Sequence, residues 1–406
     1  MNELTSLGLI LLLALLAGHL VRFARVPEVT GYILAGVALG PSVLGWVSQE
    51  NLRALEILSE VALGLILFSV GTVFEMNRFA RVGRRVLLLT LVESALAASL
   101  VTGAMLALGQ SPAIALLLGA IAIATAPAST LMVIRETDSQ GPLTDNLLGI
   151  IAINNIYCII AFSVVAAGID LRVALAQSEA FLGDLYAAGF FLVWQLVGSV
   201  ALGYLVGLTL ALWSSKVAET GEMLILTSGS ILLCVGTARV FDLSPLVASM
   251  AVGATMVNLS TQSLGLVDAL QGTDPPFYAI FFVLAGADLD LSLIPSMGVL
   301  GFAYIAARGV GKFAGARAGA RWLGLGESVR RYLGFALLAQ AGLAVGLTIS
   351  VEARFEDLAP RVTTIVLAAV AFHEVIGPIA ARFALVRAGE TADQPVSGPG
   401  SLLALE

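Results

Sequence analysis

Asn154 and Asn155 stand side by side near the middle of GPLTDNLLGIIAINNIYCIIAF, Gly141 to Phe162, an apolar run long enough to cross a bilayer. Two adjacent amides at that depth cost free energy unless something binds them, which marks a functional site. Thr125 and Pro127 interrupt PAIALLLGAIAIATAPASTLMVIRE, and Gln340 and Gly342 interrupt YLGFALLAQAGLAVGLTIS. Pro127 lacks a backbone donor and obstructs an intrahelical bond, so carbonyls near Ile123 are expected to be free, whereas Gly342 permits an unwound turn. Arg308 and Lys312 lie one helical turn apart on one face, and Glu374 follows His373 in AAVAFHEVIGPIAAR. Glu93 adds a further acid in LLTLVESALAA. Amides, a hydroxyl and freed carbonyls are oxygen ligands for an ion, and a buried carboxylate is a proton acceptor, so the chemistry to expect is ion binding rather than bond breaking.

Other readings of these residues are structural. A plain proline kink, with Thr125 bonding back to its own helix, competes with an ion site. Glu60 and Glu93 read better as helix–helix hydrogen-bonding groups than as transport residues, and His19 and His373 as core or interfacial histidines. Lys312 is expected near a helix end, from which it can snorkel, leaving Arg308 as the deeper cation. An intramembrane cation needs a counter-charge, and Glu374, Glu93 and Glu60 are the candidates. Asp288 and Asp290 read as helix-end residues, and Cys158 and Cys234 as apolar core thiols.

The elements that must hold these groups are transmembrane helices. Charged residues make up 12% of the chain and hydrophobic ones 58%, against about 25% charged in a soluble domain, so an all-α membrane protein is expected. Apolar runs predict about thirteen helices, near 4–23, 28–45, 54–75, 85–108, 112–135, 142–167, 184–213, 221–241, 243–259, 275–290, 295–320, 331–352 and 361–387. They form one transmembrane unit over 1–388, and the polar stretch 389–406 reads as a disordered cytoplasmic tail. The first run lacks the features of a cleaved signal peptide. No basic stripe points to nucleic acid, no metal or phosphate motif stands in a plausible context, and neither an enzyme nor a cofactor is expected. With the N-terminus outside, fourteen Lys and Arg residues fall in inner loops and only Arg53, Arg172, Arg239, Arg354 and Arg361 in outer ones, which makes the C-terminus cytoplasmic.

Internal similarity pairs segments seven apart. LFSVGTVFE, from Phe68 through Gly71 to Glu75, matches FFVLAGADLD, from Phe282 through Gly286 to Asp290. GYILAGVALGPS matches SPLVASMAVGAT. An odd offset reverses topology, so the halves 4–167 and 221–387 read as inverted repeats joined by a linker helix at 184–213.

PEVTGYILAGVALGPSVLG, LILFSVGTVFE, ATAPASTLMVIRE and GPLTDNLLGIIAINN, in that order, resemble the monovalent cation/proton antiporter superfamily. The branch with bacterial sodium/proton and potassium-efflux antiporters is the nearer match, and SPLVASMAVGA, FFVLAGADLDL and HEVIGPIAAR extend the resemblance over nearly the whole membrane chain. It implies an inverted-repeat antiporter fold of thirteen helices in a bacterial-type inner membrane, a homodimer surrounded by lipid. A core domain holding two crossed, unwound helices, around Thr125–Pro127 and Gln340–Gly342, would move beside a dimerisation domain to exchange a monovalent cation (Na+ or K+) for protons. The family's acidic ion-binding pair falls on Asn154 and Asn155, which have no exchangeable proton and no charge. The family's basic residue matches Arg308 or Lys312, and the proton carrier must then be another acid, Glu374 first and Glu93 second. The nucleotide-binding domain of potassium-efflux members has no counterpart, so nucleotide gating is not expected. An anion or neutral polar solute as substrate, or a non-transporting relative that keeps the fold, are the alternatives.

Overall fold

A computed structural model describes residues 3–24, 26–72, 76–177, 190, 193–217, 219–260 and 274–392. The helices are α1 (Glu3–Phe23), α2 (Glu28–Leu39), α3 (Gln49–Gly71), α4 (Met76–Ala107), α5 (Pro112–Ile121), α6 (Pro127–Glu136) and α7 (Pro142–Gln177). They continue as α8 (Ser199–Ser214, after a π-helical turn at Trp194–Gly198), α9 (Thr220–Val240), α10 (Pro245–Leu259), α11 (Asp274–Ala287) and, after a single helical turn at Leu293–Ser296, α12 (Gly298–Trp322). The chain closes with α13 (Glu327–Ala336), α14 (Gly342–Arg354) and α15 (Ala359–Ala388). Counting α5/α6 and α13/α14 as interrupted helices, these match the thirteen segments expected from the sequence. Seven of the helices are long and apolar enough to cross a membrane, and their outward faces carry exposed Leu, Ile, Val and Phe, as lipid contact requires. The first part of the expected linker, 184–189, lies outside the described residues, as does Glu75.

Two bundles can be followed through the packing. Helices α1–α3 and α8–α11 form one, and α4–α7 with α12–α15 form the other. In the first bundle, backbones touch at two places. A Cβ on Gly36 of α2 would meet Val283 O of α11 at 2.0 Å, and one on Gly286 would meet Ile33 O at 2.2 Å. The same reciprocal contact joins α10 and α3: Gly253 against Phe68 O at 2.1 Å and Gly71 against Met250 O at 2.1 Å. In each case the carbonyl belongs to the residue three before the partner glycine. Only glycine fits such backbone approach; by these contacts Gly36 takes the place of Gly253 and Gly71 that of Gly286, whereas the matched strings set Gly40 on Gly253.

In the second bundle α4 packs along α12, where Gly311 and Gly315 rest against the backbone of Ala97 and Glu93. The halves α5 and α6 have ten residues each, about 15 Å of rise, so their junction falls near mid-membrane. Residues 389–392, expected as the start of a disordered tail, are held against the bundle instead. Gly389 ends α15 in the left-handed region, and Glu390 then caps α7, its carboxylate accepting from Leu143 N (2.7 Å), Thr144 N (2.8 Å) and Thr144 Oγ1 (2.8 Å). A carboxylate at a helix N-terminus satisfies amides that have no intrahelical acceptor. Residues 393–406 lie outside the described ones.

Candidate ion-binding site

The break between α5 and α6 covers residues 122–126 and that between α13 and α14 covers 337–341; they meet where Ala126 N–H donates to Ala339 O at 3.0 Å. Pro127 opens α6 and denies Ile123 O its helical donor, as the sequence led us to expect. The second break contains no proline. Ala341 adopts an extended backbone there, and Gly342 starts α14.

Arg308 and Lys312 enter this crossing from α12. Arg308 donates from Nε to Ala122 O (3.1 Å), from Nη1 to Leu338 O (2.7 Å), and from Nη2 to Ala124 O (2.7 Å) and Ala339 O (3.3 Å). It thus ties the carbonyls of both breaks to one guanidinium, whose planar fork suits several acceptors at once. The counter-charge sought for Arg308 in Glu374, Glu93 or Glu60 is therefore not its partner. Four peptide oxygens take that place, because unwinding two helices leaves carbonyls that need donors.

Lys312 is fully buried and does not snorkel, contrary to expectation. Its ammonium lies 2.6 Å from Glu93 Oε1 and donates to Ile123 O (2.6 Å) and Thr125 Oγ1 (3.0 Å). The freed carbonyl and the proline that frees it are thus matched by a cation from another helix. Glu60, by contrast, is ion-paired with Arg239.

The amides gather at the same crossing. Asn154 Nδ2 donates to Glu93 Oε2 (3.0 Å) and Ser94 Oγ (3.3 Å), and Asn155 Oδ1 accepts from Thr125 N–H (3.4 Å). Gln340 Nε2 donates to Ile121 O (3.2 Å) and Tyr304 Oη (3.0 Å). The oxygens Asn154 Oδ1 and Gln340 Oε1 are buried without a hydrogen-bond partner. Tyr304 and Ser94 were missed in the sequence. The first could have been found from its spacing, four residues before Arg308 and eight before Lys312 on one helix face. Cys158 and Cys234 are free, buried thiols, as expected, and Cys158 Sγ donates to Ala120 O at 3.3 Å.

Glu374 and His373 do not join the crossing's bonds. Glu374 lines a cavity of about 660 Å³ between the bundles, bounded by α3 and α11 on one side and α14 and α15 on the other. Its Oε2 is buried and unpartnered, as is His373 Nδ1. His19 is exposed on α1 and so is no core residue. Asp288 and Asp290 follow the end of α11, as expected, at the cavity's rim.

Toward the other ends of α11 and α15, with residues of α1, α2 and α6, the bundles are latched. Arg22 pairs with Glu28, Glu28 N–H donates to Glu136 Oε2 (2.8 Å), and Arg382 lies 3.7 Å from Glu136 Oε1. Arg135 Nη1 donates to Tyr278 Oη (2.9 Å) across from α6 to α11. The gap between bundles is thus open at one face and held shut by polar contacts at the other.

A family profile described as "Sodium/hydrogen exchanger, transmembrane" matches residues 8–387. The chain belongs to that family. Among its relatives are the iron transporter MagA of Paramagnetospirillum magneticum, 26% identical over 72% of this chain and 65% of that protein, and the ammonium/H+ antiporter subunit AmhT of Alkalihalophilus pseudofirmus, 24% identical over 84% of this chain and 85% of that one. The chain thus spans somewhat under two thirds of MagA. The sodium/proton antiporter MjNhaP1 of Methanocaldococcus jannaschii shares the fold, with a TM-score of 0.69 at 17% identity over 97% of this chain and 99% of that one. This family member is therefore an integral membrane protein of the antiporter fold, in a family of transporters rather than enzymes.

Proposed function

We propose that the chain is a secondary active transporter exchanging a monovalent cation, Na+ or K+, for protons by alternating access. The observation that carries the reading is the crossing of two interrupted helices whose freed carbonyls are held by buried Arg308 and Lys312, beside a gap open at one face and latched at the other. Asn154, Asn155, Thr125 and Gln340 supply neutral oxygens; Glu374 or Glu93 carries the proton; Arg308 and Lys312 compensate charge; Pro127 and Gly342 define the breaks. The chain works as a homodimer in lipid of a bacterial-type inner membrane, with the N-terminus outside, the C-terminus cytoplasmic, and inverted repeats at 4–167 and 221–387 around the linker 184–213. The matching registers of the two glycine crossings support the repeat. With the N-terminus outside, the latch at Glu28, Glu136 and Arg382 faces the cytoplasm and the cavity faces out.

An anion substrate fits less well, since Arg308 already makes four hydrogen bonds to carbonyls. The test is purified protein in proteoliposomes under a pH gradient. Added Na+ or K+ is expected to dissipate the gradient, and not in liposomes without protein. No cation-dependent flux, together with thermal stabilisation by anions alone, would overturn the reading.

A further inference from the structure

We infer that Glu374 is the carboxylate at which cation and proton compete in this protein, so that each cycle moves one cation against one proton without net charge. The inference rests on the exchange reading above and goes further by choosing between two acids. Glu93 is fully buried and its oxygens are committed, one to Lys312 at 2.6 Å and the other to Asn154 at 3.0 Å and Ser94 at 3.2 Å. A proton or a cation arriving there must first break an ion pair that water does not reach.

Glu374 stands in the opposite condition. It is only 6% exposed, its Oε2 has no hydrogen-bond partner, and it lines the cavity between the bundles beside Gly342, the first residue of α14. A buried carboxylate without donors is costly as an anion and is relieved by one of two ligands, a proton or a cation. The cavity reaches Glu374, whereas Asn154, Asn155, Thr125 and Gln340 do not line it. The neutral oxygens named above as ligands therefore sit behind the crossing, and in the state with the cavity open the acid offered to an entering cation is Glu374, on a different helix.

The charges facing Glu374 across the cavity are Asp288 and Asp290 after α11, Arg53, Glu56 and Glu60 on α3, and Arg239 on α9. Arg239 is paired with Glu60, and the wall at the end of α11 presents the acids Asp288 and Asp290, which attract a cation. Helix α14 brings no charged residue to this cavity. From α12, Arg308 and Lys312 are engaged at the crossing, and the charges at the far end of α15, Glu28 and Glu136 with Arg382, belong to the latch. At a single carboxylate the ionised form holds the cation and the protonated form releases it. One proton is taken up for each cation released, and the site carries the same charge in both states.

The experiment compares wild-type protein with E374Q and E374D in proteoliposomes, and measures carbodiimide labelling of wild-type protein by peptide mass spectrometry. E374Q, checked for folding by gel filtration, should lose at least tenfold of the gradient-driven flux. E374D should keep part of it with a displaced pH profile, and wild-type flux should not respond to an imposed membrane potential. Labelling at Glu374 should fall when saturating Na+, K+ or NH4+ is present. Flux of folded E374Q within twofold of wild type, flux that follows the membrane potential, or labelling that no cation suppresses would each overturn the inference. If wild-type protein moves no cation at all, the exchange reading itself fails, and suppression of the labelling still decides whether Glu374 binds one.

Discussion

Breaking the Lys312–Glu93 pair from either side should be far more damaging than removing both charges. Both side chains are fully buried and the ammonium lies 2.6 Å from the carboxylate, so no solvent replaces a lost partner. Leaving one buried charge unpaired costs about 3–5 kcal/mol, which is the expectation for K312M and for E93Q alone. In K312M, Ile123 O also loses its donor at 2.6 Å, and Pro127 forbids a helical replacement, so part of that loss is an unsatisfied carbonyl at about 1–3 kcal/mol. The double variant K312M/E93Q leaves neither member of the pair charged, with Arg308 still held by its carbonyls, and keeps only the stranded-carbonyl cost, about 1–3 kcal/mol. The two single losses thus exceed the double by several kcal/mol, a strong coupling. Denaturant titration of detergent-solubilised protein, followed by tryptophan fluorescence, measures all four corners of the cycle. A coupling below about 0.5 kcal/mol would mean that the ion pair does not hold α4 to α12 and would refute the reasoning.

Alanine at Gly36 or Gly253 should each prevent stable folding or cost several kcal/mol, since the new methyl meets a carbonyl at 2.0 or 2.1 Å, whereas alanine at Gly103, which has open space, should shift the melting temperature little. Removing the α7 cap with E390A should destabilise by about 1–3 kcal/mol in the same titration, and E390Q by less, because one carbonyl oxygen still accepts. The variants R382Q and Y278F should loosen the latch without unfolding the protein. In a background lacking Cys158 and Cys234, a cysteine placed at Ile134 should then react faster with a membrane-impermeant thiol reagent than in the parent; equal rates would remove those contacts from the closing of that face.

Hydropathy and composition determine the class of this protein and the count of its membrane segments, because a bilayer demands long apolar runs wherever the chain goes. The first break was readable for a local reason: Pro127 lacks a donor and frees Ile123 O whatever surrounds it. The match of Gly71 with Gly286 was readable as well, because a glycine marks close approach by its lack of a side chain; that of Gly36 with Gly253 came only from the contacts. Which backbone each glycine meets could not be read, since the carbonyls at Val283, Met250, Phe68 and Ile33 lie on other helices.

The charge pairings belonged to the tertiary structure altogether. Arg308, Lys312, Glu93 and Glu374 are all recognisable as costly residues inside a membrane, yet cost alone names no partner. Arg308 takes the carbonyls of two breaks that come together only when α5/α6 crosses α13/α14, and Lys312 finds Glu93 because glycines let α12 lie against α4. Glu374 is left facing the cavity, with Glu56, Asp288 and Asp290, once Glu93 and Glu60 are paired with cations. Residue type and depth are properties of the chain. Which opposite charge or free carbonyl a cation meets is a property of helices brought together from distant parts of the chain, and only the folded bundle decides it.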